Sequence, residues 1–96
     1  MLLIFLKKMQ TETLSSGCMS EYYFWLMVEI SPIHSEKVIY ALRDFLVMGY
    51  TRKEACERNE VSQSYLSCAL KRFQIINRNV VKMVRFYIKS ELSAED

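Results

Sequence analysis

Glycine and proline are scarce in this chain, which has two glycines and one proline among 96 residues. Folds with many strands need such residues in their turns, so this shortage argues against a protein built from sheets. From residue 50 onward neither residue type occurs, so neither can interrupt a helix in that half. With 51% hydrophobic and 25% charged residues, the composition predicts one small all-α domain of four or five helices.

Cysteine and histidine are also few. The three cysteines, Cys18, Cys56 and Cys68, have no paired short spacing, and His34 is the one histidine. A zinc site would need closely spaced pairs of such ligands, so no metal site is predicted. We expect reduced thiols, two of them partly buried as small apolar residues.

Patterns that indicate catalysis are missing. The sequence has no paired carboxylate site, no phosphate-binding glycine loop and no Cys–His arrangement of recognisable spacing. His34 is expected in a loop or a helix cap, because no serine or cysteine nucleophile pairs with it. These absences predict a protein that is not an enzyme and that needs no cofactor or small-molecule ligand.

Long apolar runs are absent too. A membrane helix needs about 20 apolar residues, whereas the amino-terminal MLLIFLKK has six, followed by two lysines. A secretory signal carries its charges before a longer apolar run. Residues 1–18 are therefore predicted to be a short ordered or sticky segment followed by a polar linker, in a soluble cytoplasmic protein.

Positive charge is concentrated in one part of the sequence. The net charge is only +2, but residues 34–90 hold eleven Lys or Arg against five Asp or Glu, a net charge of +6. Residues 1–33 carry −1, and the acidic end, residues 91–96, carries −3 and is expected to fray. A basic segment of this kind is typical of phosphate contact, although a solvated basic face gives the same pattern.

Residues 51–73 have the pattern of a helix-turn-helix, whose second helix enters the major groove of DNA. Thr51 and Glu54 have the spacing of a capping box at the start of the first helix. The turn falls at Asn59–Glu60. We expect Asn59 to take the left-handed conformation there, because asparagine tolerates it better than glutamate does.

The second helix of this motif, capped by Ser62, has two different faces. Its apolar residues have the spacing of a buried stripe: Leu66, Ala69, Leu70 and Phe73. The opposite face holds the predicted DNA contacts. The residues predicted to face base edges are Gln63, Ser64, Ser67 and Lys71. Tyr65 is predicted to lie near the rim of the contact, and Arg72 is predicted to contact the DNA backbone. Arg52 and Lys53, at the start of the first motif helix, are predicted to bind phosphate. An ordinary amphipathic hairpin with a solvated polar face has the same spacing.

Two helices are predicted before this motif. Ser20 caps the first, whose run Tyr22–Val28 is apolar or aromatic on every side and must be covered all round. It is either a central core helix or part of a subunit interface formed by Tyr22, Tyr23, Trp25 and Leu26. Ser31–Pro32 ends this helix.

The second of these helices starts after Ser35, and Gly49 supplies the left-handed conformation that follows it. Its predicted buried stripe is Val38, Ile39, Leu42, Phe45 and Leu46.

After Phe73, either the second motif helix continues or a new helix starts near Asn77. The basic residues of this part are spaced by four, three and four: Arg78, Lys82, Arg85 and Lys89. They form one stripe, which either faces solvent or adds phosphate contacts.

Several short segments of the sequence form a specific set: Gly17–Glu21, Ile30–Ser31, Ile33–Ser35, Asp44–Val47 with Gly49, and Arg52–Glu54 with Cys56. Together they resemble the PapB family of adhesin (fimbrial) biosynthesis transcriptional regulators of enteric bacteria. The resemblance covers roughly residues 17–77 and does not clearly extend to residues 1–16. It implies a small bacterial DNA-binding protein that binds AT-rich, repeated sites as an oligomer.

These observations predict a helical domain at residues 19–90 that binds double-stranded DNA through residues 51–73. The function that the resemblance implies is regulation of a bacterial fimbrial or adhesin operon by a homodimer or higher oligomer, which we expect to be nucleoid-associated when bound. The alternative is a helical protein-interaction module that modulates another regulator without contacting DNA.

Overall fold

Four helices form the part of the chain that this computed structural model describes, residues 14–94, with side chains described through residue 90. Helix α1 is Glu21–Ile30, α2 is Glu36–Leu46, α3 is Arg52–Asn59 and α4 is Gln63–Ala94. No strand occurs among these residues. The prediction of an all-α fold with four or five helices is confirmed.

Each helix starts at its predicted cap. The hydroxyls of Ser20, Ser35 and Ser62 accept hydrogen bonds from the amide three residues later, at 3.2, 3.5 and 3.2 Å. At the start of α3 the Thr51 hydroxyl accepts from the Glu54 amide at 3.1 Å, and the Glu54 carboxylate accepts from the Thr51 amide at 2.9 Å. These bonds satisfy amides that a helix start leaves without backbone partners.

The core is shared by all four helices. Its largest fully buried side chains are Phe24, Phe73, Met27, Leu42, Leu46 and Leu66. Helix α1 joins α4 through Phe24, whose ring centroid lies 5.8 Å from that of Phe73. The stripe predicted for the second motif helix is fully buried, and that of α2 is buried except for the half-buried Ile39.

The segment before α1 packs against the end of α2. The Gly17 amide donates to the Phe45 carbonyl at 2.9 Å, and the Met19 amide donates to the Leu46 carbonyl at 3.0 Å. Gly17 has φ +67, and a Cβ built on it would lie 3.5 Å from Cα of Gly49. Gly49 has φ +86, as predicted. Residues 14–18, expected to be linker, are therefore tied to the domain.

The turn between α3 and α4 differs from the prediction. Glu60, with φ 56, takes the left-handed conformation, and Asn59 is the last residue of α3. The Asn59 side-chain amide donates to Asp44 Oδ2 and to the Ala55 carbonyl, both at 2.8 Å. These bonds hold Asn59 in the helix, so the reversal falls one residue later despite the cost for glutamate.

Helix α4 is continuous over 32 residues. This settles the alternative left open by the sequence, because no new helix starts near Asn77. The described chain measures 54 × 23 × 20 Å along its principal axes, since the second half of α4 continues beyond the packed core. Residues 95–96 and the side chains of 91–94 lie outside the described residues, so the predicted fraying of 91–96 stays a prediction.

Among the cysteines only Cys56 is buried, and burial raises the pKa of its thiol. Cys18 and Cys68 are exposed. The expectation of two partly buried cysteines was wrong because Cys68 lies on the side of α4 away from the core. Residues 1–13, the predicted amino-terminal segment, lie outside the described residues.

Candidate nucleic-acid interface

The first three turns of α4 present the polar surface that the sequence predicted. Gln63, Ser64, Lys71 and Arg72 are exposed, and Ser67 is half-buried. Tyr65 lies at the side of this surface with 60% of its area exposed. The buried stripe on the other side of the helix fixes this orientation, because it packs against α2 and α3.

The start of α4 favours a negatively charged ligand. Its first turn contains no acidic residue, so no side-chain carboxylate there neutralises the partial positive charge of the helix start. The Ser62 and Ser64 hydroxyl oxygens are 3.4 Å apart. Amides and hydroxyls in such a position are suited to bind a phosphate of the DNA backbone.

The two predicted phosphate-binding residues of α3 are also exposed. The Arg52 guanidinium lies 5.6 Å from the centroid of the Phe45 ring, and this contact restricts the position of its charge. Lys53 follows it in the first turn. The capping box beside them holds the pKa of Glu54 below its usual value, because the Thr51 amide and hydroxyl both bond to the glutamate.

Continuity of α4 places the basic stripe on the same side as the predicted recognition residues. Ser64, Lys71 and Arg78 are spaced by seven residues, and Lys82, Arg85 and Lys89 continue the row by four, three and four. All four residues of the stripe are exposed. At 1.5 Å per residue the row from Lys71 to Lys89 is about 27 Å long. The basic stripe and the polar surface of the first three turns therefore form one continuous surface along α4.

A half-open cavity of about 360 Å³ flanks this surface. Ser64, Tyr65 and Arg72 of α4 form one wall, and Ile33 and His34 of the α1–α2 connection contribute to the other. Sequence reasoning assigned no role to His34 at this surface. No local pattern could have revealed it, because some 30 residues separate His34 from the α4 wall.

A partly buried ionic contact fixes α3 against α2. Asp44, only 8% exposed, accepts at Oδ2 from Arg58 Nε at 3.1 Å and from Asn59 Nδ2 at 2.8 Å. The Arg58 guanidinium also lies 4.3 Å from the centroid of the Tyr50 ring. Sequence reasoning missed these residues, which orient the motif rather than belong to its polar surface.

The four residues predicted for a subunit interface do not share one exposed surface. Tyr22 and Leu26 are 77% and 42% exposed, whereas Tyr23 and Trp25 are half-buried. The Tyr23 hydroxyl donates to Asn77 Oδ1, and burial raises the pKa of Tyr23 to about 12. Trp25 packs edge-on against Phe24 with ring centroids 5.2 Å apart.

Within residues 14–94, no helix combines the length and apolar character required to cross a membrane. The same residues contain no cluster of three His, Cys, Asp or Glu side chains arranged to hold a metal ion.

Comparison with known proteins gives consistent matches over most of the chain. The profile of the PapB family, described as adhesin biosynthesis transcription regulatory protein, matches residues 2–87. This match extends past both ends of the segment, residues 17–77, in which the sequence resembles the family. The AFA-III adhesin operon regulatory protein of Escherichia coli is 62% identical over 74 residues, 77% of this chain and 73% of that protein.

The major pilus subunit operon regulatory protein PapB of Escherichia coli is 39% identical over 92 residues, 96% of this chain and 88% of that protein. The crystal structure of E. coli FocB superposes with a TM-score of 0.76 at 40% identity. The superposition covers 91% of this chain and 99% of FocB.

Proposed function

Since the chain belongs to the PapB family of adhesin biosynthesis transcription regulatory proteins, we propose that it regulates a bacterial adhesin operon by binding DNA directly. The observation that carries this proposal is the exposed polar and cationic side of α4, opposite a buried stripe that fixes its direction. We further propose AT-rich double-stranded sites, a homodimer or higher oligomer as the binding species, and the cytoplasm, with association to the nucleoid, as its location. The relatives are described as regulatory proteins, so we propose that this chain has no catalytic activity and uses no cofactor.

The proposed contacts divide into those that position the protein and those that read sequence. Arg52 and Lys53 on α3 and Arg72 on α4 bind phosphates, which contributes affinity for any duplex. Arg78, Lys82 and Arg85 add phosphate contacts along the same side of α4. Because phosphate binding releases counterions, affinity falls as salt rises, with a slope of about −0.9 per phosphate neutralised.

Sequence preference comes from the first three turns of α4. The Gln63 amide can donate to and accept from adenine in the major groove, and Ser64 and Ser67 can bond to either base of an A·T pair. Lys71 lies one turn further along and reaches a base edge or the adjacent phosphate. Tyr65 packs at the rim.

Fluorescence anisotropy tests this assignment with an AT-rich and a GC-rich duplex of equal length, each at about 50 and 200 mM salt. We expect tighter binding to the AT-rich duplex and a steep loss of affinity at the higher salt. Gln63→Ala should cost about 1–3 kcal/mol on the AT-rich duplex and less on the other. Lys71→Ala should weaken binding and reduce the salt slope by about 1.

Lys37→Ala is a matched control, because it removes the same charge from α2, outside the polar side of α4. We expect it to bind like the wild type. If affinity hardly changes with salt, or if Gln63→Ala and Lys71→Ala both bind like the wild type, the proposed surface is wrong. Absence of any DNA binding would instead favour the protein-interaction module.

A further inference from the structure

The cavity beside the start of α4 has an apolar floor and a polar rim. Ile33, Val38 and Ala69 line it and are only 9%, 3% and 4% exposed, so these three side chains form its floor. Ser64 and Arg72 line it from the exposed side of α4. A concave apolar surface with a few polar groups at its edge is the usual form of a small-molecule site.

The wall opposite α4 is held in place by the chain itself. The Ser31 hydroxyl accepts a hydrogen bond from the Ile33 amide at 3.3 Å and donates one to the Val28 carbonyl at 2.9 Å. Pro32, between Ser31 and Ile33, has its φ fixed by its ring. The cavity is therefore formed before any ligand enters, and binding does not have to order this segment.

The charge of the lining favours an anion. None of the described residues that line the cavity is an aspartate or a glutamate, and Arg72 supplies a positive charge. No ion pair among the described residues includes Arg72. A guanidinium can bind a carboxylate through two parallel hydrogen bonds. The start of α4, which contributes Ser64 to the lining, adds a partial positive charge.

The volume and the floor indicate what the anion carries. A cavity of about 360 Å³ lies near the lower limit of small-molecule sites, about 300–1,000 Å³, and suits one ring or a short branched chain. A phosphate of the DNA backbone would leave the apolar floor uncovered. A carboxylate joined to an apolar body would instead cover the floor and remove it from water.

We propose that this cavity binds a small organic monocarboxylate, with the carboxylate at Arg72 and the apolar body on the floor. No sequence pattern indicated such a ligand, because the two walls come from segments some 30 residues apart. The ligand competes with DNA, because Ser64, Tyr65 and Arg72 line the cavity and also belong to the proposed DNA-binding surface. The competition rests on the proposed function, whereas binding of the carboxylate does not.

Alkylation of the full chain with iodoacetamide, followed by peptide mass spectrometry, tests binding. Cys68 is exposed and lines the cavity, whereas Cys18 is exposed outside it and serves as an internal control. The probes are phenylacetate and 4-methylpentanoate at up to about 20 mM and constant ionic strength, because ligands of about eight to ten non-hydrogen atoms bind in roughly the millimolar range. We expect either probe to slow alkylation of Cys68 at least about 5-fold, since the ligand must first leave, and to leave Cys18 unchanged.

Matched molecules separate the two parts of recognition. Phenylacetamide keeps the ring but has no charge, and acetate keeps the charge but has no apolar body. We expect each to bind at least about 5-fold more weakly than phenylacetate, measured by protection of Cys68. Equal protection by either matched molecule, absence of protection by both probes, or equal slowing at Cys18 overturns the proposal.

Arg72→Gln removes the charge assigned to the carboxylate. We expect its affinity for phenylacetate to fall at least about 10-fold. Arg78→Gln is the matched control, because it removes the same charge from an exposed position of α4 outside the cavity, and it should bind phenylacetate like the wild type. Since both arginines are exposed, neither change should alter the helical circular dichroism. Unchanged affinity in Arg72→Gln, or an equal loss in Arg78→Gln, would overturn the role of Arg72.

Fluorescence anisotropy with the AT-rich duplex tests the competition, at constant ionic strength because added salt alone weakens DNA binding. At ten times its dissociation constant, phenylacetate should raise the apparent dissociation constant for DNA about 11-fold. Unchanged DNA affinity while Cys68 is protected would refute the competition. Protection of Cys68 in a chain that binds no DNA would refute the proposed function and leave the carboxylate site intact.

Discussion

Replacing Asp44 with alanine removes the acceptor that joins α2 to the end of α3. One carboxylate oxygen accepts from Arg58 Nε at 3.1 Å and from Asn59 Nδ2 at 2.8 Å. A hydrogen bond to a charged group contributes about 1.5–3 kcal/mol when buried. The Arg58 side chain is 52% exposed, so its contact is discounted to about 0.5–1 kcal/mol. We therefore expect Asp44→Ala to lower the free energy of unfolding by about 2–4 kcal/mol.

Thermal and urea unfolding, followed by far-ultraviolet circular dichroism, measures this change. For a domain of this size about 2–4 kcal/mol corresponds to a decrease in Tm of roughly 10–30 °C. Protein concentration must be equal in all samples, because self-association would raise the apparent stability.

Glu21→Ala is the control, since it breaks an ion pair of the same type at the surface. Glu21 Oε1 lies 2.9 Å from Arg43 Nη2, with side chains 49% and 30% exposed. We expect this variant to lose less stability than Asp44→Ala, because the ion pair it breaks is exposed to solvent. If Asp44→Ala stays within about 0.5 kcal/mol of the wild type, or loses no more than Glu21→Ala, the buried acceptor does not stabilise the motif as reasoned.

Two further predictions concern Tyr23 and Glu60. Burial raises the pKa of Tyr23 from 10 to about 12, so its neutral form contributes stability that is fully present below pH 10 and is lost as pH rises toward 12. Absorbance titration at 295 nm should show one of the six tyrosines ionising near pH 12, and a late phase that persists in Tyr23→Phe would contradict the assignment. Glu60 has φ 56, a left-handed conformation that strains alanine but not glycine. Glu60→Gly and Glu60→Ala both lose the ion pair to Lys37. The glycine variant should therefore be about 1 kcal/mol more stable than the alanine variant in urea unfolding. Equal stability of these two variants would show that the turn is not strained.

The helix starts could be predicted from the sequence because a cap is a local event. The hydroxyls of Ser20, Ser35 and Ser62 each accept a hydrogen bond from the amide three residues later. Thr51 and Glu54, also three residues apart, form two such bonds between the side chain of one and the amide of the other. The buried stripes follow from helical periodicity for the same reason. Caps and stripes can both be recognised from residues that are close in sequence, together with the 3.6-residue period of the helix.

Three of the features that sequence reasoning missed depend on contacts between distant residues. Asn59 stays helical because it bonds Asp44, fifteen residues earlier, and nothing beside Asn59 indicates that partner. Tyr23 faces inward because Asn77, 54 residues later, accepts its hydroxyl. His34 joins the candidate interface only because the α1–α2 connection lies against α4. The predicted DNA contacts themselves stay predictions, tested by the binding experiments above.

The uninterrupted α4 fixes the angle between its first three turns and the basic stripe that follows them. Each residue along the helix adds 1.5 Å and a rotation of 100°. Deleting one residue between Gln74 and Asn79 would shorten the helix by only about 1.5 Å but would turn Lys82, Arg85 and Lys89 through about 100° relative to Gln63 and Lys71. The helix therefore acts as a rigid spacer that sets the phase between two sets of proposed DNA contacts, and binding should be far more sensitive to its twist than to its length.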